Sequence, residues 1–261
     1  MKWASHRILC LRALSVIRRR GFTLPEEFVR GLLRGAVEPD ELPDYRRITI
    51  TRRRRRRVYT YTIEKRVPHH DIPGTSVDDV ARSDLVRYYR CLAAFLFRRG
   101  QYYESGRALG RALHYIQDSV LPGDVHHEEI EHLIDRYLRS REVRSPDVVK
   151  MVELALERTI ELLQDFVNDI TQKVDSNYVE NIRRKVLKFK ILKILLCALP
   201  PLLLFSLAFS SPLAAFLLIF YLVTVEPTVV SWVLSWIPRP YWEAFRLGII
   251  RIRLHNYRTA L

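Results

Sequence analysis

The chain has 261 residues, and its 43 Lys and Arg outnumber its 29 Asp and Glu, which gives a formal net charge of +14. Only three cysteines are present, Cys10, Cys91 and Cys197, and their scattered positions exclude a disulfide framework and a cysteine-based zinc site. The positive charge favours nucleic acid or anionic lipid headgroups as partners, or else reflects the charge-rich surface of a heat-adapted protein.

Helical periodicity dominates the first 190 residues. Helix-start signals such as Ser145-Pro146-Asp147, and the breaks at Gly21, Gly100 and Gly123, delimit the helices. We predict helices near 4–19, 25–36, 78–98, 101–119, 125–140 and 146–173, followed by a basic helix from about 177. The sequence therefore predicts an all-α domain.

One stretch departs from this pattern. Residues 47–66, RITITRRRRRRVYTYTIEKR, alternate β-branched and aromatic residues on either side of six consecutive arginines. This period of two predicts a small inserted β-hairpin with Arg52–Arg57 at or near its tip. The arginines form either a clamp for phosphates of lipid or nucleic acid, or a solvated loop.

A long uncharged stretch predicts a membrane hairpin near the C-terminus. Residues 194–225 contain no charged residue or His, and about 20 apolar residues suffice to cross a bilayer. Prolines interrupt the run, so we predict two transmembrane segments, near 191–210 and 213–237, with a buried helical hairpin as the alternative. Basic residues flank both ends, and the N-terminus lacks a signal-peptide layout. The predicted location is the cell membrane, with the N-terminal domain on the cytoplasmic side.

The stretch ALHYIQDSVLPGDVHHEEIEH, residues 112–132, contains two pairs of candidate metal ligands. His114 and Asp118 lie four residues apart on a periodic helix, so both side chains project from one face. His127 and Glu131 repeat this spacing after the break at Pro122-Gly123. Two antiparallel helices that each carry an imidazole and a carboxylate favour a divalent metal such as zinc. Asp124 is a further candidate, as a ligand or as the N-cap of the second helix.

Other candidate ligands occur upstream of these pairs. His6 lies early on the first helix, Asp40 follows the apolar segment GLLRGAVEPD, and His69-His70-Asp71 lies in a loop between prolines. A single one of them more often has a capping, surface or core role. Together they suggest a site with more than one metal.

In this order the segments resemble the zinc-dependent phospholipase C family, whose fold is shared by secreted zinc nucleases. The likeness covers roughly residues 3–175. His6 with RILCLRAL is similar to the family's first helix, LLRGAVEPD to the segment with its first Asp ligand, and the His69-His70 loop to its next His, with the choice between the two open. The stretch 86–118 is similar to the helix pair that ends in His-x3-Asp, and His127-x3-Glu131 to the final His-x3-Glu.

The resemblance implies the roles of these residues. Asp40, His69 or His70, His114 and Asp118 would hold one zinc ion. His127, Glu131 and Asp124 would hold a second, and His6 with Asp118 a third, so that two or three ions are expected. Asp118 would bridge metals, and Asp118 and Asp40 would serve catalysis by a metal-activated water that attacks a phosphodiester.

The sequence departs from the family in three places. Asp124 stands where the family commonly has His, the spacing to the final pair is shorter, and Trp3 is not the first residue as in the processed relatives. The arginine-rich hairpin and the apolar stretch lie outside the resemblance.

The predicted protein is a membrane-anchored, zinc-dependent phospholipase C-like hydrolase of phospholipid headgroups. We divide it into a catalytic domain (1–176) with the hairpin insertion (47–66), a basic helix (177–190), a membrane hairpin (191–237) and a basic tail (238–261). A nuclease on the same fold, or a non-catalytic membrane module that binds anionic lipid or nucleic acid, is the alternative.

Overall fold

The computed structural model describes residues 1–41, 45–54, 57–66, 77–121, 127–140, 145–208 and 237–252, together with three isolated positions, Phe216, Val230 and Val233. The chain divides into two compact units, one containing Met1–Gln172 and the other Lys173–Ile252.

The first unit contains six helices among its described residues. They are α1 (Trp3–Arg19), α2 (Glu26–Gly35), α3 (Val77–Arg98), α4 (Tyr102–Asp118), α5 (His127–Ser140) and α6 (Pro146–Thr171), and a 3-10 turn at Pro39–Glu41 follows α2. The helical character predicted for this part of the chain is confirmed, and the predicted bounds lie within two residues of those observed.

Two antiparallel strands lie between the 3-10 turn and α3. Strand β1 (Tyr45–Arg54) pairs with β2 (Arg57–Arg66), with Ile48 opposite Ile63 and Arg54 opposite Arg57. Residues 55 and 56, in the middle of the arginine run, lie outside the described residues. Phosphate binding by Arg52–Arg57 stays a prediction.

A close helix contact in the first unit joins α2 to α4 through four glycines, Gly31 and Gly35 on α2 and Gly106 and Gly110 on α4. In each helix the two glycines are four residues apart, so they share one face. A Cβ atom at Gly35 would collide with the backbone carbonyl of Arg107, and one at Gly110 with that of Leu32. The two helices therefore pack backbone against backbone, which brings the end of α2 beside the middle of α4.

Aromatic rings fill the core on the other side of this contact. Phe28 of α2 stacks on Phe166 of α6 with ring centroids 5.1 Å apart, and Phe97 of α3 meets both rings edge-on. The hydroxyl of Ser105, fully buried on α4, donates to the carbonyl of Ala93 on α3 at 2.7 Å. The rings pack α2, α3 and α6 against one another, and the Ser105 hydrogen bond joins α4 to α3.

The second unit contains α7 (Ser176–Ala208) and α8 (Arg239–Arg246). Ile182 and Val186 of α7 form a small buried cluster with Ala244 of α8. Beyond Phe189, the exposed large apolar side chains of α7 include Ile194, Leu202 and Phe205.

The transmembrane hairpin predicted over 191–237 is wrong, and with it the predicted cell-membrane location and cytoplasmic orientation. Among the described residues no helix has the length and apolar character needed to cross a membrane. The uncharged part of α7, residues 194–208, is only about 22 Å long at roughly 1.5 Å per residue, whereas a bilayer core is about 30 Å thick. Pro200 and Pro201 lie inside it. Most of the predicted second segment, 213–237, lies outside the described residues.

We predict that Gly35→Ala destabilises the first unit, although Ala ordinarily favours a helix over Gly by about 1 kcal/mol. The added methyl group would push against the backbone of Arg107, which cannot rotate away, so the free energy of unfolding should fall by about 1–3 kcal/mol. Urea denaturation monitored by circular dichroism measures this change.

Arg30→Ala is the matched control, because Arg30 lies on the same helix with an exposed side chain. It should change the free energy of unfolding by less than about 0.5 kcal/mol. A Gly35→Ala protein as stable as the wild type, or more stable, would show that α2 and α4 do not pack this closely.

Candidate metal centre

Four of the predicted metal ligands converge in the first unit. The imidazole of His114 places Nε2 3.1 Å from Oδ2 of Asp118 and 3.4 Å from Oδ1 of Asp40. The Nε2 atom of His6, from α1, lies 3.5 Å from Oδ1 of Asp118 and 4.0 Å from Oδ2 of Asp40. Residues from α1, the 3-10 turn and α4 therefore meet around one point.

Both imidazoles and the carboxylate of Asp118 are buried with unsatisfied atoms. Nε2 of His6, Nε2 of His114 and Oδ2 of Asp118 have no hydrogen-bond partner of acceptable geometry among the described residues. Buried polar atoms are nearly always hydrogen-bonded, so three such atoms facing one another are unusual. One ligand atom from each residue lies within 4.8 Å of the others. The group His6, His114 and Asp118 can hold one metal ion.

The hydrogen bond made by the Nδ1 atom of each histidine determines which tautomer that histidine adopts. Nδ1 of His114 lies 3.1 Å from the backbone carbonyl oxygen of Ala36, which only accepts hydrogen bonds. Nδ1 of His114 is therefore the protonated nitrogen, and Nε2 presents its lone pair to the cluster. A histidine that ligates a metal typically donates its other N–H to a carbonyl or carboxylate in this way.

Gln117 performs the same task for His6. Its Oε1 lies 2.7 Å from Nδ1 of His6, while its Nε2 donates to Oγ1 of Thr159 at 3.1 Å. The Thr159 hydroxyl in turn donates to the carbonyl of Ala155 at 2.6 Å, so that its oxygen is left to accept. This series of hydrogen bonds turns the Gln117 amide oxygen towards His6 and makes Nδ1 of His6 a donor.

A buried ion-pair network holds the segment that carries Asp40. Glu38 is 7% exposed, and its two carboxylate oxygens accept from Nε of Arg107 and Nε of Arg111, each at 2.6 Å. Burial works to raise the pKa of Glu38, but the two arginines of α4 outweigh it and lower the pKa. The charged carboxylate of Glu38 thus ties the 3-10 turn to α4 and places Asp40 beside His114.

The α-amino group of Met1 lies at the edge of the cluster. Its nitrogen is 2.5 Å from Oδ1 of Asp118 and 2.8 Å from Oε1 of Glu131 on α5. Burial opposes the charged form, but the two carboxylates outweigh it and raise the pKa of this ammonium group. The ammonium group therefore joins Glu131 to the cluster.

The protonation states suit a metal ligand set. Burial lowers the pKa of His6 to about 3, so this imidazole is neutral at pH 7. Burial alone would raise the pKa of Asp118, but the Met1 ammonium and the two histidines hold it well below its usual value. Burial also works to lower the pKa of His114, yet Asp118 and Asp40 outweigh it and raise that pKa. Asp118 is thus ionised, and a proton competes with metal at His114 more than at His6.

Most of the other predicted ligands lie wholly or partly outside the described residues. His69, His70 and Asp124 lie outside the described residues, and His127 begins α5 with a side chain that is outside them as well. Glu131 is described, and it reaches the cluster through the Met1 ammonium group. His6, Asp40, His114 and Asp118 are the predicted site residues that the structure brings directly together.

Three supporting groups were not found by sequence reasoning: Gln117, the Ala36 carbonyl and Glu38. Gln117 carried an available signal, because it lies three residues after His114 and next to Asp118 on an otherwise apolar stretch. The Ala36 carbonyl carries none, since every residue has such a group.

Comparisons with protein-family models, with curated proteins and with solved structures found no match for this chain.

We predict that Gln117→Leu weakens metal binding without removing a ligand. Leucine preserves much of the side-chain volume but leaves Nδ1 of His6 without its acceptor, so the lone pair on Nε2 is no longer fixed. Loss of such an outer partner typically costs 10–100-fold in metal affinity, and we expect a loss of about that size. Competition of the protein with a chromophoric zinc chelator measures the affinity.

Gln164→Leu is the control, because Gln164 of α6 makes its hydrogen bonds at the surface, to Arg20 and Asn168. Its zinc affinity should equal that of the wild type. Equal affinities for Gln117→Leu and Gln164→Leu would mean that Gln117 does not orient His6 for metal binding.

Proposed function

We propose that this protein is a zinc-dependent phosphodiester hydrolase of the phospholipase C type. The observation that carries the proposal is the pair of unsatisfied Nε2 atoms, on His6 and His114, that face the ionised carboxylate of Asp118 inside the first unit. The order of the ligand-bearing segments, which resembles that of the phospholipase C family, supplies the reaction class.

The donor set fits zinc. Zinc binds imidazole nitrogens and carboxylate oxygens, and its catalytic sites commonly use two histidines and one carboxylate and keep one position open. His6, His114 and Asp118 match that set, with Asp40 as an additional oxygen donor at 3.4 Å from His114. When bound, zinc supplies a Lewis acid that polarises a phosphoryl oxygen.

Asp118 and Asp40 have different roles in the proposed reaction. The Met1 ammonium group holds the Asp118 carboxylate through Oδ1, which leaves Oδ2 without a hydrogen bond among the described residues and facing Nε2 of His114. The Asp40 side chain keeps 15% of its surface exposed, whereas those of His6, His114 and Asp118 are almost completely buried. Asp40 is therefore the carboxylate of this group that solvent reaches; in the proposed hydrolysis it would accept a proton from the attacking water, and the departing alkoxide would take a proton from solvent.

Further zinc ions belong to the proposal. Glu131, together with His127 and Asp124, is the proposed ligand set of a second ion, and His69 or His70 joins the first set. The Met1 ammonium group lies 2.8 Å from Glu131 and 2.5 Å from Asp118, and this proximity of the two carboxylates supports the proposal of a neighbouring ion.

The proposed substrate is the phosphodiester of a phospholipid headgroup, favoured by the net charge of +14, which attracts anionic substrates. Nucleic acid carries the same phosphodiester chemistry. The products released from a panel of phospholipids and single-stranded oligonucleotides distinguish these two sources.

We predict that Asp118→Asn abolishes phosphodiester hydrolysis, because the substitution removes the charge on which both imidazoles and the ammonium group converge. Turnover of the zinc-loaded full chain should fall by at least about 100-fold, which corresponds to about 2.7 kcal/mol. Release of phosphorylated headgroup, followed by ³¹P NMR, measures turnover, and elemental analysis of the same samples measures bound zinc.

Asp147→Asn is the matched control, because Asp147 is an exposed residue in the first turn of α6. It should retain full zinc content and turnover. A wild-type protein that binds no zinc, or an Asp118→Asn protein with undiminished turnover, would remove the hydrolase proposal and leave a non-catalytic binding module.

A further inference from the structure

A polar cavity lies in the first unit, between α3, α4 and α6. Three arginines line it, Arg87 and Arg90 of α3 and Arg158 of α6, and two serine hydroxyls, of Ser83 and Ser119, complete its polar wall. Its volume is about 460 Å³. That size lies within the range of about 300–1,000 Å³ that small-molecule sites occupy.

This cavity and the metal centre use different faces of α4. Tyr115 and Ser119 line the cavity, whereas His114 and Asp118 point into the metal centre. Each pair is four residues apart, and the two pairs are displaced by one residue, which is about 100° around the helix. The arginine cavity is therefore a separate site and not an extension of the metal cluster.

Among the described residues Arg158 is bound by a serine hydroxyl and forms no ion pair. Its Nη1 donates to Oγ of Ser119 at 2.8 Å, and no carboxylate of the described residues lies within 4.0 Å of its guanidinium. The Ser119 hydroxyl donates to the carbonyl of Ile116 at 2.7 Å, so its oxygen serves only as an acceptor for Arg158. A guanidinium has five N–H donors, and those not used on Ser119 remain for a ligand.

Arg90 is held rigidly at the wall of the same cavity. Its Nη1 donates to Asp165, and its Nε lies 3.3 Å from Oδ2 of Asp169, so α6 fixes the guanidinium from two positions. Arg87 is exposed at the rim. Arg158, which forms no ion pair among the described residues, and Arg90, which its two carboxylates orient, thus present guanidinium groups to one space, and guanidinium groups recognise phosphate through paired hydrogen bonds.

The rest of the lining is apolar and aromatic. It consists of Val86, Ile116, Leu162 and the ring of Tyr115. An inorganic anion alone would leave this surface without contacts, whereas the organic part of a phosphate ester would cover it.

From this lining we infer that the cavity between α3, α4 and α6 is a binding site for a small phosphomonoester, with Arg158 as its principal phosphate contact. The phosphate group would lie between Arg158 and Arg90, and the organic group would lie against Tyr115 and Leu162. This site does not depend on the proposed hydrolase function.

Titration of the full chain with inorganic phosphate and with phenyl phosphate tests the inference. The titrations are performed by calorimetry in the presence of a chelator, so that the metal centre cannot capture the phosphate. We predict that phenyl phosphate binds more tightly than inorganic phosphate, and that Arg158→Met weakens both by at least about 10-fold, the loss expected when a charge-assisted hydrogen bond is removed. Arg158→Lys keeps the charge and should retain part of the affinity.

A control variant separates this site from other sources of phosphate binding. Arg30→Met removes an arginine with an exposed side chain on α2 and should bind phosphate as the wild type does. No phosphate binding to the wild type, equal binding to Arg158→Met, or an equal loss in Arg30→Met would overturn the inference.

Discussion

Four glycines let α2 and α4 pack backbone against backbone, and the groups that orient half of the metal centre lie beside that junction. The close approach carries the Ala36 carbonyl to within 3.1 Å of Nδ1 of His114. It also brings Glu38 between Arg107 and Arg111, and so sets Asp40 against His114. A side chain larger than hydrogen at this contact would separate the helices and disturb all three relations.

The cluster that results is costly to the fold unless a cation occupies it. Two imidazole lone pairs and a carboxylate oxygen are buried without hydrogen bonds, and unsatisfied buried groups of this kind cost about 1–3 kcal/mol each. The Met1 ammonium group compensates Asp118 on one side only, through Oδ1. Buried polar atoms that face one another without hydrogen bonds are characteristic of functional sites, where a bound ligand supplies the missing contacts.

The amino-acid sequence predicts the helices and the central residues of the candidate metal centre well. The i, i+4 spacing of His114 and Asp118 fixes their common face, and the order of segments resembling phospholipase C brings in His6 and Asp40. The sequence could not reveal which residues orient these ligands. Gln117 and Glu38 acquire their roles from Thr159 and from the arginines of α4, and such partners depend on how the helices pack.

Two other features show where sequence reasoning fails. The uncharged run that begins at Ile194 predicts membrane segments from hydropathy alone. Hydropathy does not show where a helix ends, and the described uncharged part of α7 is too short to cross a membrane. The arginine cavity escaped detection because its cations, Arg90 and Arg158, lie far apart in the sequence on α3 and α6. No local motif joins them.

The most direct test of the metal centre is a zinc titration of the ¹⁵N-labelled, metal-free full chain, observed at the imidazole nitrogens of His6 and His114. We predict that one equivalent of zinc shifts Nε2 of both residues while both Nδ1 nitrogens stay protonated, because Gln117 and Ala36 hold those protons. Imidazole resonances that do not respond to zinc, or that respond at Nδ1, would contradict the account.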